Sequence, residues 1–239
     1  MRFFLFIFLI SCFACSDARR DIRDYYYPIR TMTDGKVYVY QDPDQPNRAP
    51  NYWYYLGIDQ DSALYLSSTA YLPDFEPGQQ VTEQIFNEGV VLKQLAIAFP
   101  DSVGQLSMVN AEVEAGNAFP FYLEADERPA YVVKLSFEDE LTQGNRQNIT
   151  FNRQYQRDTT VEVMGESYDA LVFKLVAEFY IEEAGLGGIQ PGLSGYEIYA
   201  EGLGLVETQR KTESGTVILN DRLVEVISME EMISRAEGQ

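Results

Sequence analysis

The side chains that most often carry enzyme chemistry are nearly missing from this chain, apart from its carboxylates. Its 239 residues include no histidine, and both cysteines, Cys12 and Cys15, lie near the N-terminus. Catalysis by Ser–His–Asp or Cys–His arrangements is therefore excluded, as are the usual zinc sites. The 37 acidic residues leave one enzymatic route, a hydrolase in which two carboxylates act as acid and base. No pair, including Glu182-Glu183, stands out from so acidic a background.

Net charge and glycine spacing argue against nucleic-acid and nucleotide ligands. The formal charge of −19 repels phosphate backbones. Gly202-Leu203-Gly204 lacks the third glycine of a dinucleotide fingerprint and has no βαβ unit around it. We therefore predict no nucleic-acid partner, no nucleotide, no cofactor and no metal site.

The N-terminus has the layout of an export signal. Met1-Arg2 is a short positive region, and the apolar run Phe3–Ile10 follows it. A helix needs about 20 residues to cross a bilayer, so this run is too short to be an anchor helix. The pattern predicts a signal peptide over residues 1–11.

Leu9-Ile10-Ser11-Cys12 resembles the lipobox of bacterial lipoproteins, in which the cysteine is diacylated and becomes the first residue after cleavage. Cys15 is the alternative, although Phe13 fits the pattern less well than Ala14 does. The resemblance implies a lipid on Cys12 or Cys15, followed by a tether to residue 24. Each acyl CH₂ buried in a membrane contributes about 0.8 kcal/mol, so two or three chains hold a domain stably.

The residue after the lipidated cysteine bears on sorting. Phe13 or Ser16 stands there, and neither is aspartate. By analogy with known lipoproteins, this implies release to the outer membrane. The membrane is then a partner of the chain through its N-terminal lipid.

Beyond the tether, apolar and polar residues alternate with a period of two. Runs rich in Val, Ile, Tyr, Phe and Thr are separated by turn signals such as Pro77-Gly78. This predicts a single all-β domain over residues 25–239, an antiparallel meander forming a curled sheet or half-barrel, or else a sandwich. Short helices are expected at Val81–Glu88 and Glu230–Glu237, and loops at Gln41–Asn51 and Ala184–Gly195.

The long run Tyr168–Ile181 is apolar on both parities, which requires cover on both faces of the sheet. If the sheet curls around a cavity, one parity offers a face for a lipid-like ligand, formed by Leu171, Phe173, Leu175 and Phe179. An ordinary packed sandwich core is the competing explanation.

One aromatic motif and one glycine motif are explained by structural roles. In Tyr52–Tyr55 the rings of Trp53 and Tyr55 should share one face. Gly202 and Gly204 allow the positive φ or bulge needed to reverse the chain between two strands.

Two segments also resemble a group of small, uncharacterised envelope lipoproteins. Tyr27-Pro28-Ile29 followed by Gly35-Lys36-Val37-Tyr38-Val39-Tyr40 is similar to their "YxP…G(K/N)xWxY" start, with Tyr38 in the tryptophan position. Tyr199–Val206 is similar to their C-terminal "YxxGxGLV" hairpin. Some of these proteins are similar to all-β half-barrels that shield lipid in the periplasm. The resemblance implies fold and location and carries over no catalytic residue.

The sequence therefore predicts a non-enzymatic, membrane-anchored envelope lipoprotein that binds an apolar ligand or a protein partner. Two alternatives stay open: a carboxylate-based hydrolase and a structural subunit of an envelope assembly. An internal apolar cavity would favour the ligand-binding lipoprotein, and a cleft with two nearby carboxylates would favour the hydrolase. A large flat apolar patch would favour the assembly subunit.

Overall fold

The structure is a computed structural model that describes residues 19–60, 62–101, 103–124, 128–138, 146–182 and 188–238. Side chains are described for all of these except 181, 182 and 188–191. The elements in these ranges are β1 (Arg20–Asp21), β2 (Lys36–Gln41), β3 (Asn51–Gln60), β4 (Ala63–Tyr71), β5 (Pro77–Ile85), β6 (Gly89–Pro100), β7 (Leu106–Pro120), β8 (Tyr122–Leu123), β9 (Ala130–Glu138), β10 (Arg146–Val163), β11 (Glu166–Glu182), β12 (Gly188–Ala200), β13 (Gly204–Thr212), β14 (Val217–Ile227), α1 (Met229–Glu237) and the 3₁₀ turns Arg23–Tyr25 and Ile29–Thr31.

Twelve of the strands form a closed antiparallel barrel. β2 to β7 and β9 to β14 follow one another around the barrel in chain order, and β14 pairs with β2 to close it. Leu223 lies opposite Tyr40 in that closing pair. The remaining strands, β1 and β8, pair only with each other. Closure gives every barrel strand a neighbour on both sides, so no long edge is left unpaired.

The all-β antiparallel prediction is confirmed, whereas the half-barrel and the sandwich are wrong. Alternation within a strand shows that one face is covered and the other is not. An open sheet and a closed sheet produce the same alternation. What closes the barrel is the pairing of the first long strand with the last one, about 180 residues apart in the chain. Local patterns do not record that contact.

The helices and loops predicted from the sequence agree with the structure only in part. The helix predicted at Glu230–Glu237 is α1, and Ser228 caps it by accepting a hydrogen bond from the backbone N–H of Glu231. The helix predicted at Val81–Glu88 is wrong, because residues up to Ile85 belong to β5. The 42–50 loop joins β2 to β3 as predicted, but residues 188–195 of the predicted Ala184–Gly195 loop lie in β12, and 184–187 lie outside the described residues.

The segment 22–32 closes one end of the barrel, which we call the plugged end. Ile22 is fully buried there, together with Tyr26, Tyr27 and Met32. The backbone N–H of Gly202 donates to the Asp24 carbonyl at 2.7 Å, and that of Ile22 to Phe121 at 2.8 Å. Residues 19–24, which the sequence assigned to a tether, thus lie against the barrel.

The outer surface carries α1, which packs on β2 and its neighbours. Met232 of the helix joins a small cluster with Val37, Val39, Tyr52 and Ile227. These residues point away from the interior because their neighbours Tyr38 and Tyr40 point into it. None of the helices in the described ranges has the length and apolar character needed to cross a membrane.

Candidate functional site

The barrel interior contains a cavity of about 440 Å³. Its floor is formed by Tyr26 and Tyr27 of the plugged end, and it extends to Leu219 and Asp221 on β14. Small-molecule sites usually measure about 300–1,000 Å³, so this volume suits a small ligand.

One wall of the cavity is apolar apart from Arg153 of β10. It is formed by inward-facing residues of β6, β7, β9, β10 and β11, namely Leu92, Leu95, Ala118, Phe119, Val133, Leu135, Phe151 and Leu175. Alternation along β9 places Val133 and Leu135 on one side. Leu92 with Leu95 and Ala118 with Phe119 have opposite parities, and both pairs lie where the register of β6 and β7 is irregular. This wall matches the alkyl part of a ligand.

The opposite wall is aromatic and polar. Trp53, the only tryptophan of the chain, stacks on Tyr55 with ring centroids 6.1 Å apart and planes 16° apart. The two rings share one face, as predicted, and both line the cavity. Polar side chains continue this wall along β4, β5, β12, β13 and β14: Ser68, Gln79, Glu83, Glu197, Thr208, Arg210 and Asp221.

A buried ion network lies at the boundary between the two walls. Glu197 accepts from Arg153 Nε at 2.6 Å, from Arg210 Nη2 at 2.8 Å and from the Tyr199 hydroxyl at 3.1 Å. Burial alone would raise the pKa of Glu197, but the two guanidinium groups outweigh it and lower that pKa to about 2. Glu197 is therefore held as a carboxylate whose two oxygens already accept three hydrogen bonds.

Glu83 is the second carboxylate of the cavity, and its surroundings act in the opposite direction. Burial raises its pKa, although the hydrogen bond from Tyr26 and the charge of Arg153 partly offset this. The Tyr26 hydroxyl donates to Glu83 Oε2 at 2.6 Å. Burial also raises the pKa of Tyr26 well above its ordinary value, so this phenol keeps its proton. The site thus contains one carboxylate held ionised and one that takes up a proton more readily than usual.

Only part of the predicted ligand face lines the cavity. Leu175 does so, whereas Leu171 and Phe173 are fully buried in the packed core. Phe179 lies farther along β11, toward the end of the barrel opposite the plugged end, and is only partly buried. The cavity is therefore lined by fewer β11 residues, and by more polar groups, than the sequence led us to expect.

Sequence reasoning missed Glu83, Arg153, Glu197 and Arg210. One signal was available in β10, where Arg153 shares its parity with Phe151 and Tyr155. A charge in the middle of an inward-facing aromatic row indicates a buried ion pair or a site. Its partners are on β12 and β13, and only the barrel brings them together.

The predicted turn residues adopt the backbone that a tight reversal needs. Gly202 has φ +74° and Gly204 has φ +89°, both in the left-handed region. A Cβ on Gly204 would lie 2.5 Å from the Tyr27 ring, whereas one on Gly202 would meet nothing within 4 Å. The predicted lipidation sites Cys12 and Cys15 lie outside the described residues.

Two solved bacterial structures share this fold. One is a candidate lipoprotein from Parabacteroides distasonis ATCC 8503, with a TM-score of 0.50 and 14% identity over 85% of this chain and 98% of its own. The other is a candidate exported protein with a YmcC-like fold from Bacteroides fragilis NCTC 9343, with a TM-score of 0.50 and 14% identity over 82% of this chain and 96% of its own. At this identity the likeness concerns the fold alone. No protein-family model and no curated protein matches the chain.

Proposed function

We propose that this chain is a non-enzymatic, membrane-anchored envelope lipoprotein whose barrel binds an amphiphilic, lipid-like ligand. The observation that carries the proposal is the two-sided cavity, which is apolar along β6 to β11 and aromatic and polar opposite. A ligand with an alkyl part and a polar part satisfies both walls at once. A purely apolar ligand would remove water from the charged groups of the polar wall and offer them no hydrogen bond in return, which is costly inside a protein.

The anchor is the second element of the proposal. The lipobox-like segment Leu9–Cys12 supports diacylation of Cys12, or else of Cys15. The residue after either cysteine is not aspartate, which supports an outer-membrane location. The structures that share the fold are described as a candidate lipoprotein and a candidate exported protein, which agrees with an envelope location. Mass spectrometry of the N-terminal peptide should find a diacylglyceryl thioether on one of these cysteines, and an acyl-free N-terminus elsewhere would contradict the anchor.

A carboxylate-based hydrolase is the competing function, and one observation favours it. Glu83 and Glu197 share one cavity with pKa values shifted in opposite directions, which is how acid and base pairs are arranged. However, both Glu197 oxygens are occupied by three donors, which leaves little basicity for attack or proton abstraction. We therefore favour binding. Turnover of glycoside or ester substrates that is abolished in Glu83→Gln would reverse this preference.

The binding test uses the position of Trp53. Full-length chain with Cys12 and Cys15 changed to serine carries no acyl chain of its own to compete for the cavity. Titration with a brominated single-chain amphiphile should quench Trp53 saturably at micromolar concentration, because bromine quenches indole at contact. Val81→Phe, which fills the cavity, should abolish the quenching, and Val224→Phe on the outer surface should not. A folded wild-type chain with no saturable quenching would contradict the proposal.

A further inference from the structure

Arg153 and Arg210 carry more hydrogen-bond donors than the described protein groups accept. Each guanidinium has five N–H donors. Besides their bonds to Glu197, Arg153 Nη1 donates to the Ala118 carbonyl, and Arg210 Nη1 donates to the Thr208 hydroxyl and the Gln209 carbonyl. In the described part of the chain, about half of the ten donors therefore have no protein acceptor.

The two side chains that carry these donors line the cavity and are not sealed in the core. The Arg153 and Arg210 side chains are 15% and 17% exposed, and both line the cavity. Among the described residues, no buried side-chain nitrogen or oxygen lacks a hydrogen-bond partner. Arg153 Nη2 and Arg210 Nε make no hydrogen bond within the described residues, so neither nitrogen is fully buried, and an acceptor that enters the barrel can reach them.

The charge of this corner of the cavity points to the kind of acceptor. Two guanidinium groups share one carboxylate, Glu197, which leaves a positive surplus at a largely buried site, where electrostatic attraction is strengthened. Glu83 is a second acid of the lining, and it interacts with the charge of Arg153. The groups facing it are Tyr26 of the plugged end, Tyr55 of β3, Arg153 of β10, and Glu197 and Tyr199 of β12. When Glu83 holds a proton, the two guanidinium groups and Glu197 carry one net positive charge, and ionisation of Glu83 cancels it. Asp221 is the third acid of the lining; it accepts from Asn51 Nδ2 at 2.8 Å, and burial raises its pKa.

We propose that the ligand is a single-chain amphiphile with an acidic, oxygen-rich head group whose oxygens accept the unused donors of Arg153 and Arg210. Its alkyl chain lies along the wall formed by β6 to β11. A carboxylate or a phosphate head meets the same requirement, because both match the fork of a guanidinium. The cavity volume of about 440 Å³ lies near the lower end of the range for ligand sites, which favours one alkyl chain over two. This inference rests on the proposed function.

The test compares ligands that differ only in their head group. The full chain with Cys12 and Cys15 changed to serine is titrated by calorimetry with dodecanoate, dodecyl phosphate, dodecanol and dodecanamide. We expect the two acids to bind about ten-fold or more tightly than the two neutral compounds. The ratio between the acids identifies whether the head is a carboxylate or a phosphate.

Two variants move the acid affinity in opposite directions. Arg210→Gln keeps the Arg153–Glu197 pair and should reduce the affinity for dodecanoate to that for dodecanol, while dodecanol binding is unchanged. Glu83→Gln keeps an acceptor for Tyr26 but removes the competing charge, so it should tighten dodecanoate binding and weaken its dependence on pH. Arg222→Gln is the matched control, because Arg222 is 51% exposed and pairs with Glu207 away from the cavity lining.

The possible results separate this inference from the proposed function. Equal affinity for acids and neutral compounds, or an unchanged acid affinity in a folded Arg210→Gln, overturns the acidic head group and leaves amphiphile binding in place. No binding of any of the four compounds to the folded chain overturns both. If Arg210→Gln melts at a much lower temperature, the test depends on Glu83→Gln alone. A Glu83→Gln variant that binds dodecanoate no more tightly than wild type then overturns the inference.

Discussion

The two ends of the barrel interior are built from the same alternating strands and are filled in different ways. Toward the plugged end, Phe173 contacts Phe119, Tyr155 and Tyr199 with ring centroids 5.4 to 5.9 Å apart, and it is fully buried. Farther along the barrel, the interior contains a cavity and a buried ion network. Close-packed aromatic rings stabilise a fold at little cost, whereas buried charges carry a desolvation penalty. We therefore assign stabilisation of the fold to the first region, and the second fits the binding role that we propose.

The largest expected effect tests the packed region. Phe173→Ala should lower the free energy of unfolding by about 3–5 kcal/mol, because it removes a buried ring and leaves a void among three aromatic neighbours. Chemical denaturation measures the change. Phe86→Ala is the matched control, since Phe86 is 43% exposed and its truncation should cost well under half as much. Similar losses in both variants would contradict the assignment of the plugged end as the stabilising core.

The next effect tests the ion network. The pKa of Glu197 is lowered from 4.5 to about 2, so its ionised form stabilises the fold above the ordinary pKa, and this contribution is lost as the pH falls from 4.5 toward 2. At neutral pH, Glu197→Gln should therefore cost about 3 kcal/mol, and the difference from wild type should shrink in acid.

Denaturation curves at several pH values measure this dependence. Glu178→Gln is the control, because Glu178 is exposed on β11 and should show no such loss. A Glu197→Gln variant as stable as wild type at neutral pH would show that the two guanidinium groups do not depend on this carboxylate.

The turn at Gly202 and Gly204, which contacts the plugged end, allows two variants to be compared. Gly202→Val and Gly204→Val both place a side chain at positive φ, which should cost about 1–3 kcal/mol. The loss at Gly204 should be the larger one, because its side chain also meets the Tyr27 ring. Thermal unfolding of both variants checks the order. A reversed order would mean that the segment 22–32 does not pack on this turn as described.

The smallest effect concerns Glu83, where the two regions meet. Burial raises its pKa, so the protonated form favours the fold below the ordinary pKa, and that contribution is lost as the pH rises through the raised value. Glu83→Gln cannot ionise, so its melting temperature should gain on that of wild type as the pH increases. A variant that becomes less stable than wild type in mildly alkaline buffer would contradict this reading.

Several features followed from local patterns in the sequence. The aromatic alternation of Tyr52–Tyr55 correctly placed Trp53 beside Tyr55. The cover predicted for both faces of Tyr168–Ile181 is found on the outer face only at Ala170 and Val172, because Lys174, Glu178 and Tyr180 on that face are exposed. The helix at Val81–Glu88 failed because this short segment shows too few alternations to separate strand from helix. In the barrel, Val81, Glu83 and Ile85 share the inward face.

The sequence by itself determined the strand-rich composition, the turn at Gly202 and Gly204, and the absence of histidine and of cysteine beyond Cys15, because these depend on residue types and their immediate neighbours. Only the tertiary structure decided that the sheet closes, that residues 22–32 plug it, and that Arg153, Glu197 and Arg210 meet inside. These three residues lie on β10, β12 and β13, and their contact depends on strand register. That register includes irregularities between Tyr155 and Arg157 of β10 and between Ala177 and Phe179 of β11, which a period of two does not predict.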